Sequence, residues 1–517
     1  MEGREKMNRP NILYLMCDQF RYDCISALGN KIIQTPNLDR LVQRGLAYTN
    51  AYSSCPVCVP ARYVVRTGRE PYNLGCYCNE NPTPVCSAET SCESGNVVER
   101  CCGEYLARRM GRLGYRTFGI GKFHTSPDVY EDLGYEVHIH TEEMYDSPEI
   151  KKKDGFANFI MTEHPEYSHL EQLHGERTNM YFVPQMSPMP AECTVEGFTA
   201  DKAVEQLGLE DERPYFGFVS FVGPHPPCAP PIPYNRMYDP DGMHNPIRGN
   251  SFTDRMDEQI QWMNYLIYAD EINDAWARNF KTRYYGEITY IDDCIGKILD
   301  AVEKRGDADN TIICFFSDHG EMAGDHGGWQ KETFFEEAAK VPFLLSWPKK
   351  WRRSEVRGDL VSLSDLFGIA TTAAGEPDPR DGVLILEDEK REVLFGVYGR
   401  PDSEQFKIMV CKGEWKYIYM VNGSREQLFH LSEDPHELVN LVQSEDKIRE
   451  EMYQTALEKC QSEPGLSKAV ESKKLRGIPY HPRKLERLHQ FDFSKNIMDY
   501  SVPSGCNFMS QALFLEE

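Results

Sequence analysis

The chain of 517 residues has no uninterrupted apolar run near the roughly 18–20 residues that a bilayer-spanning helix needs, which excludes such a helix. Met1–Gln19 leave no room for the apolar core of a secretion signal before the first strand-like run, so the sequence reads as cytosolic. Positive charge is also short. Lys plus Arg number 57 against 81 Asp plus Glu, a net charge of −24. A field of that sign argues against nucleic acid and anionic membrane as partners, and an anionic substrate would need a local basic pocket. Internal repeats and low-complexity tracts are lacking too. What remains is 40% hydrophobic residues and a mean hydropathy of −0.55, a globular composition with material for a large core.

Cysteine, by contrast, is plentiful. There are 17, an odd number, and ten fall before residue 103. They lack the even, regular framework of a secreted disulfide scaffold and read as mostly free thiols in a reducing compartment. Cys76, Cys78, Cys86, Cys92, Cys101 and Cys102 raise a zinc site, but the paired C-x2-C knuckles of such sites are missing.

Over the first 370 or so residues, apolar strand-like runs alternate with helical patterns. Strands are predicted at Asn11–Cys17, Thr117–Ile120, Tyr215–Val222, Thr311–Phe316 and Pro342–Ser346. Helices are predicted at Pro36–Arg44, from Val59–Pro60 to Gly68, at Val98–Leu113, Ala200–Leu207, Arg283–Lys304 and Leu363–Ala374. This alternation predicts an α/β fold, a large and mostly parallel sheet sandwiched by helices. After a linker-like EPDPRDG, the short runs Glu392–Tyr398, Phe406–Cys411 and Trp415–Met420 predict a small antiparallel sheet, with helix Glu445–Lys459 on it. The expected domains are 1–378, catalytic; 379–480, a smaller α+β domain; and 481–517, an irregular tail.

The segment richest in chemistry is SSCPVCVPARYVVRTGR, Ser53–Arg69. Pro60 is placed to open a helix, so Cys58 stands at its N-terminus, where free N–H groups favour an anion. Arg62, four residues on, shares the face of Cys58. On five residues alone the string reads equally well as a cysteine in a proline-initiated helix. Asp18 and Asp318 each follow a strand-like run, where open α/β sheets bind ligands. With Gln19 and His319 they could surround one cation suited to hard oxygen donors, or Asp18 could merely cap its strand. Lys122 and His124 fit a basic site or a solvated loop. His225 fits a catalytic role or a turn in the proline-rich PHPPCAPP. His326 fits a pocket border or a loop-structural role. Glu142–Glu143 and Glu336–Glu337 read as solvated faces, and Cys55 as a packing residue.

Six motifs, in order, resemble those of type I sulfatases of the alkaline phosphatase superfamily: Asn11–Gln19, Cys58–Arg62, Gly121–His124, Pro224–Pro226, Ser317–Gly320 with Lys331 and Val341–Phe343, and Gln427–Leu441 (QLFHLSEDPHELVNL). The resemblance implies that a maturase converts Cys58 to formylglycine. The hydrate of that aldehyde would offer a nucleophilic hydroxyl and a second hydroxyl whose proton a base removes. It further implies a divalent cation, calcium by analogy and Mn²⁺ or Mg²⁺ by the ligand set, on Asp18, Gln19, Asp318 and His319. Many sulfatases carry a second Asp where Gln19 stands. Arg62, Lys122 and Lys331 would neutralise the sulfate, His124 would act as base, and His225, or Lys331, would protonate the leaving oxygen. SDHGEMAGDHGGWQK looks most like sulfatases of sugar sulfates, iduronate-2-sulfatase among them. The aromatic and polar insert Asp146–Cys193 suits a saccharide held by an exo-acting sulfatase, and reads equally well as surface. The alternatives are a phosphonate monoester or phosphodiester hydrolase, an aryl sulfatase, and an inactive sulfated-glycan-binding protein.

Overall fold

The computed structural model describes residues 9–84, 96–142, 152–167, 182–249, 257–351 and 354–485. The main sheet has strands β1 (Asn11–Cys17), β2 (Gly45–Tyr52), β3 (Arg116–Gly121), β4 (Val137–His140), β5 (Tyr215–Ser220), β6 (Thr311–Ser317), β7 (Phe343–Ser346) and β8 (Glu355–Ser362). Their order is β4-β3-β5-β1-β6-β7-β2-β8, parallel except that β7 runs antiparallel to both β6 and β2. The principal helices are α1 (Pro36–Gln43), α2 (Cys58–Thr67), α3 (Val195–Gly208), α4 (Asp274–Arg305), α5 (Asp365–Ala373) and α6 (Asp446–Ser462).

Strand β1 explains why the sheet is covered on both sides. Its seven residues are all buried. Leu13, Leu15 and Cys17 face Ala200 and Ala203 of α3 and Ile291 and Ile295 of α4. Ile12, Tyr14 and Met16 face Val59 and Val64 of α2 and Leu366 and Ile369 of α5. A strand apolar on both faces must be central to a layered sheet. Each such side chain contributes about 1.5–3 kcal/mol of burial, which anchors the strand ends above it.

The helix expected at Val98–Leu113 is two helices, Val97–Cys102 and Leu106–Arg112, broken where Gly103 takes φ +90°. Helix α4 starts well before residue 283 because Asn273 caps it, its side chain accepting from the Trp276 N–H. Strands β2, β4, β8 and Arg425–His430 were not expected.

A second sheet, β9 (Val393–Tyr398), β10 (Lys407–Lys412), β11 (Trp415–Met420) and β12 (Arg425–His430), is antiparallel throughout, in the order β12-β11-β10-β9. One face packs on α6 through Val410, Tyr417, Met452 and Ala456. The other meets the main body through Met409, Ile418 and Phe429 against Tyr52, Cys55 and Phe335. The Val397 N–H donates to the Ser54 carbonyl at 2.8 Å, so β9 braces the segment just before Cys58. No described helix is long and apolar enough to cross a membrane.

Candidate active site

Sheet register brings the site together. In the parallel β1–β6 pair Cys17 lies opposite Ser317, in β1–β5 Met16 lies opposite Ser220, and in β3–β5 Gly121 lies opposite Ser220. The residues that follow, Asp18, Asp318 and Lys122, therefore leave one edge of the sheet together. Gly121 takes φ +106°, and a Cβ there would stand 1.8 Å from the Ser220 carbonyl oxygen, so the turn presenting Lys122 requires glycine. After β2, Val57 is extended and Cys58 opens α2, with Pro60 in the first turn and Gly68 in the left-handed conformation at the end.

Arg62 is the centre of the arrangement. Its Nη2 donates to Asp18 Oδ2 and its Nε to Asp318 Oδ2, each at 3.0 Å. Its Nη1 donates to the Lys122 carbonyl at 2.5 Å and to Ser220 Oγ at 3.0 Å. Lys122 Nζ lies 2.6 Å from Asp18 Oδ2. The Cys58 sulfur is 3.2 Å from His319 Nε2, 3.2 Å from Lys331 Nζ and 3.7 Å from Asp18 Oδ1. Lys331 Nζ also donates to Gln19 Oε1 at 2.7 Å. Cys58 is 1% exposed and Lys122 0%, so this is a dry, charged site rather than a solvated loop.

Burial dominates the ionisation of these groups, and the cations then decide its direction. Burial pushes the Asp18 carboxyl up, but Lys122, His225, Arg62 and Lys331 together hold it well below the usual range. Asp318 is lifted to about 6 by burial and by Asp18, despite Arg62. Burial and the Asp18 charge push the Cys58 thiol up to about 12, against Lys331 and Lys122. An unmodified thiol here is protonated and a poor nucleophile.

The donor set could hold a metal ion. One ligand atom from each of Asp18, Cys58, Asp318 and His319 lies within 4.8 Å of the others. The His319 Nδ1–H donates to the Gly320 carbonyl at 3.0 Å, which leaves the Nε2 lone pair facing Asp18 and Asp318. Burial and Lys331 hold this imidazole neutral, as a ligand must be. Gln19 takes φ +68°, pinned by its N–H on Asp318 Oδ1 and by the Tyr284 hydroxyl on its carbonyl. Its amide oxygen is turned to Lys331, and its amide nitrogen donates to Glu321.

His225 is buried and within electrostatic reach of Asp18. Its Nδ1–H donates to the Pro226 carbonyl at 2.7 Å, so Nε2 is the nitrogen that exchanges protons. His124 follows the β3 turn at φ +50°, its N–H on the Glu142 carboxylate. Cys55 is buried away from this group, its Sγ 3.4 Å from the Tyr77 carbonyl.

Two readings of acidic runs need correction. Glu142 is 4% exposed, and it accepts from the Phe123 and His124 N–H groups. Glu336 and Glu337 are 2% and 1% exposed, because Lys340, Lys416 and His326 supply the positive groups that burial requires. His326 stacks on Phe335 at 3.9 Å and faces Glu337, a structural setting. Glu437, from the DPHEL string, accepts from the Glu336 N–H at 2.7 Å and pairs with Lys416 at 2.9 Å, which binds the small sheet to the main body. Thirteen described cysteines are free thiols, but Cys101 is disulfide-bonded. Neither metal-capable group among the described residues contains a cysteine of the Cys76–Cys102 run. Cys86, Cys92, Glu143, His169, His174, Arg177, Tyr181 and residues 486–517 lie outside the described residues.

Sequence reasoning missed Glu321, Ser220, Tyr284 and Glu142. Glu321 holds Gln19 and also accepts from the Ala323 and Gln330 N–H groups. Its place two residues after His319 was the available signal. The others come from elements distant in sequence and carried none.

The family model described as Sulfatase matches residues 10–375. An arylsulfatase of Clostridium perfringens is 28% identical over 458 residues, covering 85% of this chain and 91% of that one. The iduronate 2-sulfatase of Mus musculus is 25% identical over 370 residues, 67% of this chain and 61% of that one. Among solved structures, the phosphonate monoester hydrolase of Agrobacterium radiobacter shares the fold at a TM-score of 0.70 and 23% identity, covering 88% of this chain and 95% of that one.

Proposed function

The chain belongs to the sulfatase family and hydrolyses sulfate esters, and from that premise we propose that its substrate is the sulfate monoester of a carbohydrate, cleaved at a chain end. The observation that carries the sulfate ester chemistry is the Cys58 sulfur, buried between His319 Nε2 and Lys331 Nζ at 3.2 Å each, beside two aspartates bridged by Arg62. The likeness to iduronate 2-sulfatase supports the sugar.

A sulfate monoester resists attack because its oxygens repel the nucleophile. Converted to formylglycine by a maturase, Cys58 would supply a hydrated aldehyde as nucleophile. A divalent cation on Asp18, Asp318, His319 and Gln19, calcium in this reading, would supply Lewis acidity. The chain's own residues do the rest. Lys122 and Lys331 set two positive charges against the sulfate, and the water-excluded setting strengthens both. Arg62 fixes the aspartates. His225 Nε2 gives a proton to the leaving alcohol oxygen, while Nδ1 is held by Pro226. His124, next to Glu142, takes up the proton that closes the cycle.

Mass spectrometry of the Cys58 peptide from cells with a maturase tests the first step, since the aldehyde lowers the mass relative to cysteine. An unmodified thiol there refutes it. Cys58→Ala should remove turnover by about 10³-fold or more, and Cys55→Ala should keep most of it. Initial rates on the sulfate and phosphonate esters of one phenol separate this reading from a phosphonate monoester hydrolase. Faster desulfation inside a polymer than at its ends, or activity only on aryl sulfates, overturns the carbohydrate reading.

A further inference from the structure

Beneath the loop that carries His225 lie two carboxyl groups that the proposed chemistry does not use. Glu196 is the second residue of α3 and Glu287 lies in α4; they are 2% and 4% exposed. They meet under Gly223. The Gly223 N–H donates to Glu196 Oε1 at 3.2 Å. A Cβ at Gly223 would stand 3.2 Å from Glu196 Oε1 and 3.3 Å from Glu287 Oε1, so both oxygens lie close under this glycine. Glu287 Oε2 is buried with no hydrogen-bond partner. The Gly223 carbonyl in turn accepts from the Asp18 N–H at 3.3 Å. Gly223 thus ties the carboxyl pair below to the end of β1.

The titratable groups facing the pair are Cys17 from β1, Tyr290 and Cys294 from α4, and Cys228 from the loop after β5. Among the described residues no lysine or arginine acts on either carboxyl. Two carboxylates in one dry site without a cation cannot both ionise. We propose that Glu196 and Glu287 hold a single proton between them, and that this pair seats the Gly223–Pro226 segment so that His225 meets the leaving oxygen. Burial, which pushes Glu196 up to about 7 and, with Glu196 itself, lifts Glu287 well above the usual range, agrees with this. Glu196 and Glu287 are positioning residues in this view. The proposal rests on the reading of His225 as the proton donor.

The test compares two substrates in the full, matured chain. 4-Nitrophenyl sulfate has a leaving group that needs no proton, whereas the sulfate ester of a sugar or alkyl alcohol does. Glu287→Leu leaves Glu196 buried without its partner and should lose about tenfold more kcat/KM on the alkyl ester than on the nitrophenyl ester. Glu287→Gln keeps a permanent donor to Glu196 and should restore both rates to within about threefold of wild type. A second readout is thermal. A carboxyl whose pKa is raised by folding binds a proton that the unfolded chain releases, so wild type loses stability as pH rises above the ordinary carboxyl range. Glu287→Gln removes that loss, so its Tm relative to wild type should climb between about pH 5 and pH 8. Equal losses on both esters in Glu287→Leu, or a Tm difference independent of pH, overturn the proposal. If wild type hydrolyses neither ester, the functional reading has failed instead, and the thermal comparison still decides whether the pair holds a proton.

Discussion

Arg62→Ala separates two roles for a residue that the sequence assigned to neutralising the substrate. In the fold its guanidinium holds Asp18 and Asp318 at 3.0 Å each and spends its Nη1 on the Lys122 carbonyl and Ser220 Oγ. After truncation Asp18 keeps Lys122 at 2.6 Å. Asp318 keeps the Gln19 and His319 backbone N–H groups at 3.1 and 3.0 Å, but it loses its direct ion pair, and Lys122 and Lys331 act on it without one. Breaking a buried ion pair costs about 3–5 kcal/mol. At about 2–4 °C per kcal/mol for a large domain, Tm should fall by roughly 6–20 °C, toward the lower end for a chain this long. Arg62→Lys keeps a charge but cannot span two carboxylates, so its Tm should fall between the two. Added Ca²⁺ should raise the Tm of Arg62→Ala more than that of wild type, because the cation replaces the missing charge. Scanning calorimetry with Ca²⁺ and with a chelator measures all of this. Lost turnover with an unchanged Tm and an unchanged Ca²⁺ response would refute the reasoning and make Arg62 a substrate contact.

Gly121→Ala should cost at least about 1–3 kcal/mol and lower kcat/KM, because the new Cβ meets the Ser220 carbonyl and displaces Lys122; an unchanged melting curve would contradict the turn argument. Glu437, which burial lifts to about 7, takes up a proton on folding. Its stability contribution is therefore lost as pH rises from the ordinary carboxyl range toward 7, and the Tm of Glu437→Gln relative to wild type should rise over that window. Glu437→Gln should also lower Tm at every pH if the Lys416 and Glu336 contacts bind the two sheets; thermal melts at several pH values check both effects.

The sequence was most legible where local chemistry is strict. Strand β1 shows itself by seven consecutive buried positions, and α2 by Pro60 and Gly68. The candidate residues on strand ends were readable because an acid or lysine directly after an apolar run has few other uses. Strand β8 was opaque because it alternates exposed and half-buried residues, which periodicity cannot tell from a polar loop. Glu336 and Glu337 misled because two adjacent acids usually face water. Lys416, which pairs with Glu336, lies 80 residues away from it. Glu196 and Glu287 were invisible for the same reason: helix pattern marks a face, but not which loop lies across it.

The pairing of β1 with β6 has a consequence for the order of events during synthesis. Cys58 is 261 residues ahead of His319 and 273 ahead of Lys331 along the chain. At ribosomal speeds of about 5–20 residues per second, those partners emerge roughly 10–50 s after the cysteine does. Until then β1 has no β6 to pair with, the edge that carries Asp318 does not exist, and the thiol that ends 1% exposed stays open to solvent. The nascent polypeptide therefore passes through a timed interval in which Cys58 is chemically reachable, and completion of the central sheet closes it.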